Sequence, residues 1–392
     1  MTTSQINLEK QQKDKQKNKQ KQQGGKYLTQ GAYGCVFEAP LTCKPGTTKS
    51  YLDKSQTDHK SPVNSGRFIG KVTPVGEESV LEQRASSEIT KIPNYDDYFV
   101  VPISSCIPKP RVQQTETELY KCDSILKPAR SVIQFTMPYG GRTILDVINH
   151  QDTLKKFIPH FFYTVGHFLE AGALLVLNQY IHFDLHRSNL LFYSDFKIRI
   201  IDFGVAWKPV DIDDTNIILF REYEPNSVQE PPELTLINGM VQNDRVRISR
   251  SSESFITDIF QRKKILRHIE RVLNKSQDSL IKEFKEFISN SKVFKTNNWD
   301  EYFRLYWTKI DSWSIGAILL MIYEKLLTEH EFINSQEYKT KKHVFEDLLE
   351  SLACVDPFKR YDSVKALAVW DPTSKILQSE KAKHWLEELE KH

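Results

Sequence analysis

The nine residues Ile181–Asn189, which read IHFDLHRSN, decide the fold and chemistry expected of this chain. An aspartate on a loop, here Asp184, can accept the proton of a hydroxyl group and aim its oxygen at a phosphoryl group. An asparagine five residues later, here Asn189, can ligate a metal ion that bridges phosphate oxygens. We therefore expect Asp184 to be a catalytic base and Asn189 a metal ligand. This motif is the most specific signal in the sequence.

A second acidic motif follows at Ile200–Gly204, IIDFG. Its carboxylate, Asp202, is the second expected metal ligand, and the glycine permits the turn that presents it. Asp202 lies 18 residues after Asp184, a span that fits two short strands and their turn between two active-site loops.

A glycine turn and a strand lysine precede both motifs. Glycines let backbone N–H groups approach phosphates closely, although Gly31 and Gly34 alone would equally fit a plain hairpin turn. Lys71, in the strand-like Phe68–Val72, can pair with phosphates if a helix supplies a carboxylate to orient it. Glu88 is the predicted partner, and Glu82 is the alternative. The residues expected to bind the nucleotide, besides Lys71, are Leu28, Thr29, Gln30, Gly31, Ala32, Tyr33, Gly34, Cys35 and Val36.

Taken in this order, the motifs resemble those of the eukaryotic protein kinases, from about residue 27 to residue 360. Pro231–Glu233 resembles the family's A-P-E motif, and Asp311–Gly316 resembles its D-x-W-S-x-G helix. Asp356–Arg360 resembles D-P-x-x-R, which implies an ion pair between Glu233 and Arg360. The phrase from Gly31 to Cys43 is most similar to kinases of large nucleocytoplasmic DNA viruses.

The resemblance implies an α+β, bilobal protein-kinase fold with a small β-rich N-lobe and a larger helical C-lobe. It divides the chain into a tail (1–26), an N-lobe (27–137, with a loop insertion at 42–66) and a C-lobe (138–392, with a helical insertion at 238–298). It implies ATP and Mg²⁺ as cofactors and transfer of the γ-phosphate to serine or threonine of a protein substrate. A small-molecule kinase of the aminoglycoside or choline type and a kinase-fold scaffold are the alternatives.

Several positions depart from the family pattern. Thr29 replaces a glycine, Gly70 replaces the alanine before Lys71, and Phe183 replaces the arginine of H-R-D. His186 stands where most serine/threonine kinases have a lysine. We expect His186 either to assist catalysis or only to hydrogen-bond within the loop. The tyrosine-kinase version of the loop is also absent, so serine/threonine specificity is the weaker inference.

Composition adds limits on partners and environment. Apolar residues make up 39% of the chain and charged residues 27%, as in ordinary globular proteins. Residues 1–26 carry a net charge of +5, so the rest of the chain carries −2, and nucleic-acid binding is not implied. The 238–298 insertion, predicted to be two amphipathic helices with basic outer faces, has a net charge of +6 and suits an acidic partner.

Cysteine usage and apolar runs bear on localisation. The number of cysteines is odd, at five, and they form no C-x-x-C pair. We therefore expect no disulfide framework and a reducing compartment, with a Cys43/Cys106/Cys122 metal site as an alternative that fits no zinc spacing. No apolar run approaches the ~20 residues of a membrane span, so no membrane is expected. The expected location is the cytoplasm, or the host cytoplasm or virion for a viral protein.

Overall fold

The computed structural model describes residues 25–30, 34–52, 67–109, 121–122, 131–193, 195–213, 219–246 and 251–391. Of the predicted tail, residues 1–24 lie outside this part of the chain, whereas Lys26 already begins the first strand. The chain divides into two compact units. The first comprises residues up to 96 and 100–139, and the second comprises residues 97–99 and those from 140 onwards.

The first unit is built on a six-stranded antiparallel sheet with the strand order β1-β2-β4-β6-β5-β3. Its strands are β1 (Lys26–Gln30), β2 (Cys35–Glu38), β3 (Lys49–Ser50), β4 (Phe68–Pro74), β5 (Ser104–Cys106) and β6 (Val132–Pro138). Strand β3 lies within the predicted 42–66 loop, so the described part of that loop, 42–52, joins the sheet through its pairing with β5. Residues 53–66 lie outside the described part of the chain.

Four cysteines of the first unit form two disulfides, so the expectation of no disulfide framework was wrong. Cys35 is bonded to Cys122, with Cα atoms 5.9 Å apart, and Cys43 to Cys106, with Cα atoms 5.7 Å apart. The partners are 87 and 63 residues apart in sequence, and only folding brings them together. Cys354 is left as a buried free thiol. Because Cys43, Cys106 and Cys122 are all in disulfides, they cannot form the alternative metal site.

The second unit is mostly helical. Its small antiparallel sheet contains β7 (Arg142–Thr143), β8 (Leu190–Phe192) and β9 (Ile198–Ile200). The helices are α2 (Ile144–Asn149), α3 (Gln151–Phe157), α4 (Phe161–Leu177), α5 (Pro232–Val246), α6 (Ser252–Arg262), α7 (Lys264–Leu273), α8 (Gln277–Asn290), α9 (Lys292–Thr296), α10 (Trp299–Leu326), α11 (His330–Asn334), α12 (Gln336–Leu352), α13 (Ser363–Trp370) and α14 (Glu380–Glu390). In its described residues the first unit adds one long helix to its sheet, α1 (Glu77–Ile89). The α+β fold class, strands first and helices later, is confirmed.

Helix α4 is the central element of the second unit, packed against α10 and α13. Between α3 and α4 the helical stretch is interrupted by a short 3-10 turn at Ile158–His160, since Pro159 cannot donate a helical hydrogen bond. The stretch Gln151–Leu177 is long and apolar enough to cross a membrane. However, 67% of its most apolar window is buried within the protein, as in a core helix.

The 238–298 insertion contains the end of α5 and four further helices, α6 to α9, so the prediction of a helix pair was too simple. The predicted apolar stripes of α7 and α8 are buried, including Ile265 and Phe284. The stripe of α6, led by Phe255 and Ile259, is buried as well, and the sequence analysis did not identify it. Exposed basic side chains cover the opposite faces, among them Arg267 and Lys282.

Candidate active site

Lys71 forms an ion pair with Glu82 in the first unit. Its Nζ lies 3.0 Å from Oε1 and 2.8 Å from Oε2 of the carboxylate, and the side chains are only 12% and 4% exposed. The predicted partner, Glu88, instead pairs with Lys91 at 2.7 Å near the end of α1. The choice of Glu88 was therefore wrong, and the sequence alternative Glu82 is the residue that orients Lys71.

The rotation of α1 explains this correction. Glu82, Ala85, Ser86 and Ile89 share the buried face of the helix. Glu88 follows Glu82 by six residues, which is about 240° around an α-helix and points it to another side. Val80, although apolar, does not lie on this buried face and is 54% exposed.

The strand register places residues of the glycine turn beside Lys71. Val36 pairs directly opposite Lys71 in the β2–β4 ladder. A Cβ atom at Gly34 would lie 2.4 Å from the carbonyl oxygen of Val72, so this close approach requires glycine. At Gly70, which replaces the family's alanine, a Cβ would lie 2.8 Å from Oε1 of Gln134. Gly31, Ala32 and Tyr33 lie outside the described residues.

In the second unit, Asp311 of α10 holds the loop Ile181–Asn189, which is predicted to be catalytic and is called the catalytic loop below. Its two carboxylate oxygens accept hydrogen bonds from the backbone N–H groups of His182, at 2.6 Å, and Phe183, at 3.0 Å. Phe183 has φ of 67°, an uncommon conformation for an aromatic residue that costs free energy unless its surroundings impose it. The buried carboxylate of Asp311 therefore stabilises the strained turn that presents Asp184.

His182 and Asn189 hold the two ends of the same loop. Nε2 of His182 donates to the carbonyl of Ile201 at 2.8 Å, and Nδ1 accepts from the N–H of Asp184 at 3.2 Å. Burial lowers the pKa of His182, which keeps the ring neutral as this pattern requires. Nδ2 of Asn189 donates to the carbonyl of Asp184 at 3.0 Å. The loop residues predicted from the sequence are thus brought together.

Two cationic or potentially cationic groups face the carboxylate of Asp184. Nη1 of Arg221 lies 3.1 Å from Oδ1, and Nε2 of His186 lies 3.6 Å from Oδ2. Burial by itself would raise the pKa of Asp184, but the nearby His186 and Arg221 outweigh it and hold the pKa below its usual range. Nδ1 of His186 also accepts from the N–H of Ser188 at 3.2 Å. Both of these contacts lie within the loop, and a role of His186 in catalysis stays a prediction.

The donor set at the end of the hairpin fits Mg²⁺. The carbonyl of Asn189 accepts from the N–H of Ile201 at 3.0 Å, which brings the backbone of Asn189 beside the residue before Asp202. Oδ1 of Asn189 accepts no hydrogen bond from the described residues, so it is available as a ligand. Across the part of the chain that the structure describes, no three His, Cys, Asp or Glu side chains cluster to hold a metal by themselves. Mg²⁺ does not need such a cluster, because it is usually bound through one or two protein oxygens together with substrate phosphates.

The segment before α5 is anchored by hydrogen bonds from helix α10 and from Lys263 of the insertion, and the sequence analysis missed most of them. Nε1 of Trp313 donates to the carbonyl of Val228 at 3.1 Å, and Oγ of Ser314 donates to that of Gln229 at 2.7 Å. Nζ of Lys263, from the insertion, donates to the carbonyls of Ser227 at 2.6 Å and Glu230 at 2.9 Å. The D-x-W-S-x-G signature could have indicated the first two contacts. No sequence pattern indicated Lys263.

A cavity lies beside the catalytic loop, within the second unit. One wall is formed by His186, Arg187 and Ser188, and another by residues 226–229. Ile318 and Met321 of α10 contribute apolar surface.

Comparisons with known proteins give a distant likeness. No protein-family model matches the chain, and no curated protein matches it. A solved structure that matches is the kinase domain of a specific rhoptry antigen of Toxoplasma gondii, with 12% sequence identity and a TM-score of 0.46. The match covers 94% of this chain and 81% of that one. Such a likeness says nothing about substrate or activity, which are argued below from the site alone.

Proposed function

We propose that the chain is a protein kinase that transfers the γ-phosphate of ATP to serine or threonine hydroxyls of a protein. The observation that carries the proposal is the presentation of Asp184. Its loop is held by Asp311, by His182 and by Asn189. Its side chain is 25% exposed and lies two residues before His186, which lines the cavity. Such a carboxylate can accept the proton of a substrate hydroxyl as the oxygen attacks phosphorus.

The other residues have assigned roles under this proposal. Lys71, oriented by Glu82, would pair with the α- and β-phosphates of ATP. Asn189 and Asp202 would hold Mg²⁺, which when bound neutralises charge on the phosphate oxygens. Val36 would pack on the adenine. The residues of the glycine turn would bind the phosphates through their N–H groups.

A protein substrate is favoured over a small molecule by the lower part of the second unit. The contacts of Trp313 and Ser314 with residues 228–229, and the buried ion pair between Glu233 and Arg360, belong to the motifs that distinguish protein kinases from aminoglycoside and choline kinases. The narrower likeness to kinases of large DNA viruses, and a location in host cytoplasm or virion, stay predictions. An acidic partner for the insertion also stays a prediction.

The test is incubation of the purified chain with labelled ATP, Mg²⁺ and a mixed protein lysate, followed by phosphoamino-acid analysis. We expect labelled phosphoserine or phosphothreonine with the wild type and none with the Asp184→Asn variant. Label only in small molecules, supplied as aminoglycosides or choline, would contradict the proposal. ATP binding without any transfer would favour the scaffold alternative.

A further inference from the structure

Arg221 is the side chain through which the segment 219–230 contacts the catalytic loop around Asp184. Its Nη1 lies 3.1 Å from Oδ1 of Asp184, and its Nη2 donates to the carbonyl of Phe183 at 2.7 Å. The guanidinium also lies over the aromatic ring of Phe183, with Cζ 4.5 Å from the ring centroid. One planar group thus makes an ion pair, a backbone hydrogen bond and a cation–π contact at once.

The position of Phe183 explains why a cation must come from outside the catalytic loop. Phe183 is 6% exposed, and its ring packs edge-on against Trp207 and Phe303. An apolar side chain at this position carries no charge that could hold a neighbouring segment. Arg221, 37 residues from Asp184 in sequence, supplies that charge from the segment instead.

The backbone of the same segment is held independently of any added group. The N–H of Arg221 donates to Oδ1 of Asn238 at 3.0 Å, and Nδ2 of Asn238 donates to Oε2 of the buried Glu230 at 3.0 Å. The N–H of Tyr223 donates to Oε1 of Gln242 at 3.1 Å. All of these hydrogen bonds join unmodified residues.

We propose that Arg221 is a positioning residue that clamps the segment 219–230 to the catalytic loop, so that the site is assembled without phosphorylation of that segment. This inference rests on the proposed kinase activity. The guanidinium orients the Asp184 carboxylate and ties it to the cavity wall at residues 226–229. The reacting groups are then held in place before substrate binds, which lowers the entropic cost of the reaction.

The test compares Arg221→Gln and Arg221→Lys with wild-type full-length chain. The matched control is Arg304→Gln, which removes a different arginine–aspartate pair, with Asp213, in the same unit. We expect Arg221→Gln to lower kcat by about 10²-fold, with unchanged ATP affinity, because misplacement of a reacting group has effects of this size. Arg221→Lys keeps the positive charge but loses the planar guanidinium that makes two hydrogen bonds, so its kcat should lie between that of the wild type and that of Arg221→Gln. Arg304→Gln should match the wild type.

Hydrogen exchange tests the clamp independently of phosphate transfer. In Arg221→Gln, the amides of residues 221–223 should exchange about tenfold faster or more, since a local opening then costs less free energy. If the wild type transfers no phosphate but residues 221–223 exchange faster in Arg221→Gln than in the wild type, the clamp is supported and the proposed kinase function fails. Unchanged exchange in Arg221→Gln overturns the clamp. A rise in kcat also overturns it, because Arg221 would then block Asp184. If Arg221→Gln does not fold, Arg221→Lys decides, and wild-type kcat and exchange in that variant overturn the proposal.

Discussion

Arg360 and Glu233 form a doubly hydrogen-bonded ion pair in which neither side chain is exposed. Nη1 of the arginine lies 2.8 Å from Oε1 of the glutamate, and Nη2 lies 3.1 Å from Oε2. Nε of Arg360 also donates to the carbonyl of Cys354 at 2.8 Å, and the hydroxyl of Tyr302 donates to Oε1 of Glu233 at 3.2 Å. The pair joins the start of α5 to the loop before α13, 127 residues later. The resemblance to protein kinases had implied this pair, and the structure confirms it.

Removing one partner of this pair should destabilise the protein strongly. In Glu233→Gln the buried guanidinium loses its counter-charge, and breaking a buried pair in this way typically costs about 3–5 kcal/mol. Urea unfolding monitored by fluorescence gives the free energy of unfolding. The control is Glu380→Gln, which removes an exposed ion pair with Lys383 and should leave that free energy unchanged. Equal stabilities of the two variants would contradict the prediction.

Asp184→Asn should abolish phosphate transfer and leave nucleotide affinity nearly intact. The amide cannot accept the hydroxyl proton, and general-base groups typically contribute ~10²–10⁴-fold to the rate. Steady-state kinetics and ATP titration measure the two effects. Asp213→Asn, which alters an exposed aspartate of the same unit, serves as the control. More than about a tenth of wild-type activity in Asp184→Asn would argue against the assignment.

Lys71 and Glu82 should behave as one functional unit. Lys71→Met and Glu82→Gln should each lower kcat/KM strongly, and the double variant should be little worse than either, because residues that act together are non-additive. Glu88→Gln is the matched control on the same helix and should retain activity. If Glu88→Gln showed the coupling with Lys71 and Glu82→Gln did not, the observed pairing would have no role in transfer.

Phosphatase treatment should leave basal activity largely unchanged. Phe183 cannot make a charge-assisted bond to a phosphate, and the segment is held by encoded residues such as Lys263. Of the possible acceptors, Thr215 lies outside the described residues, and the hydroxyl of Tyr223 donates to Asp258 at 2.8 Å. Activity is measured before and after treatment, with mass spectrometry to verify dephosphorylation. Loss of nearly all activity would refute the prediction.

Lys263 should make stability rise with pH above neutrality. Burial lowers its pKa to about 8, and the nearby Glu230 and Glu233 only partly offset this. Between pH 8 and 10.5 the unfolded chain therefore keeps a proton at this site that the folded protein has released, so raising the pH favours folding. Between pH 7 and 10 this contribution amounts to about 2–3 kcal/mol.

The comparison of wild type with Lys263→Met isolates this contribution. Free energies of unfolding are measured across the pH range for both proteins. The wild type should gain stability relative to the variant as the pH rises. Parallel pH profiles would show that Lys263 ionises alike in the folded and unfolded states.

The sequence by itself determined the order of the chemical groups and the class of fold. Asp184, Asn189 and Asp202 could be proposed as site residues because the chemistry expected of them depends on residue type at short, local spacings. Those spacings are set by one loop and one hairpin. The Glu233–Arg360 pair followed from motif resemblance, although its partners are far apart in the chain.

Tertiary structure decided the contacts that depend on how elements rotate and pack. The partner of Lys71 is Glu82 and not Glu88. Each residue of an α-helix advances by about 100°, so Glu88 lies about 240° around the helix from Glu82 and does not share its buried face. The disulfides and the contact of Arg221 with Asp184 join residues separated by 87, 63 and 37 positions. No local periodicity encodes such pairings. They arise only when the folded core brings distant segments within a few ångströms of each other.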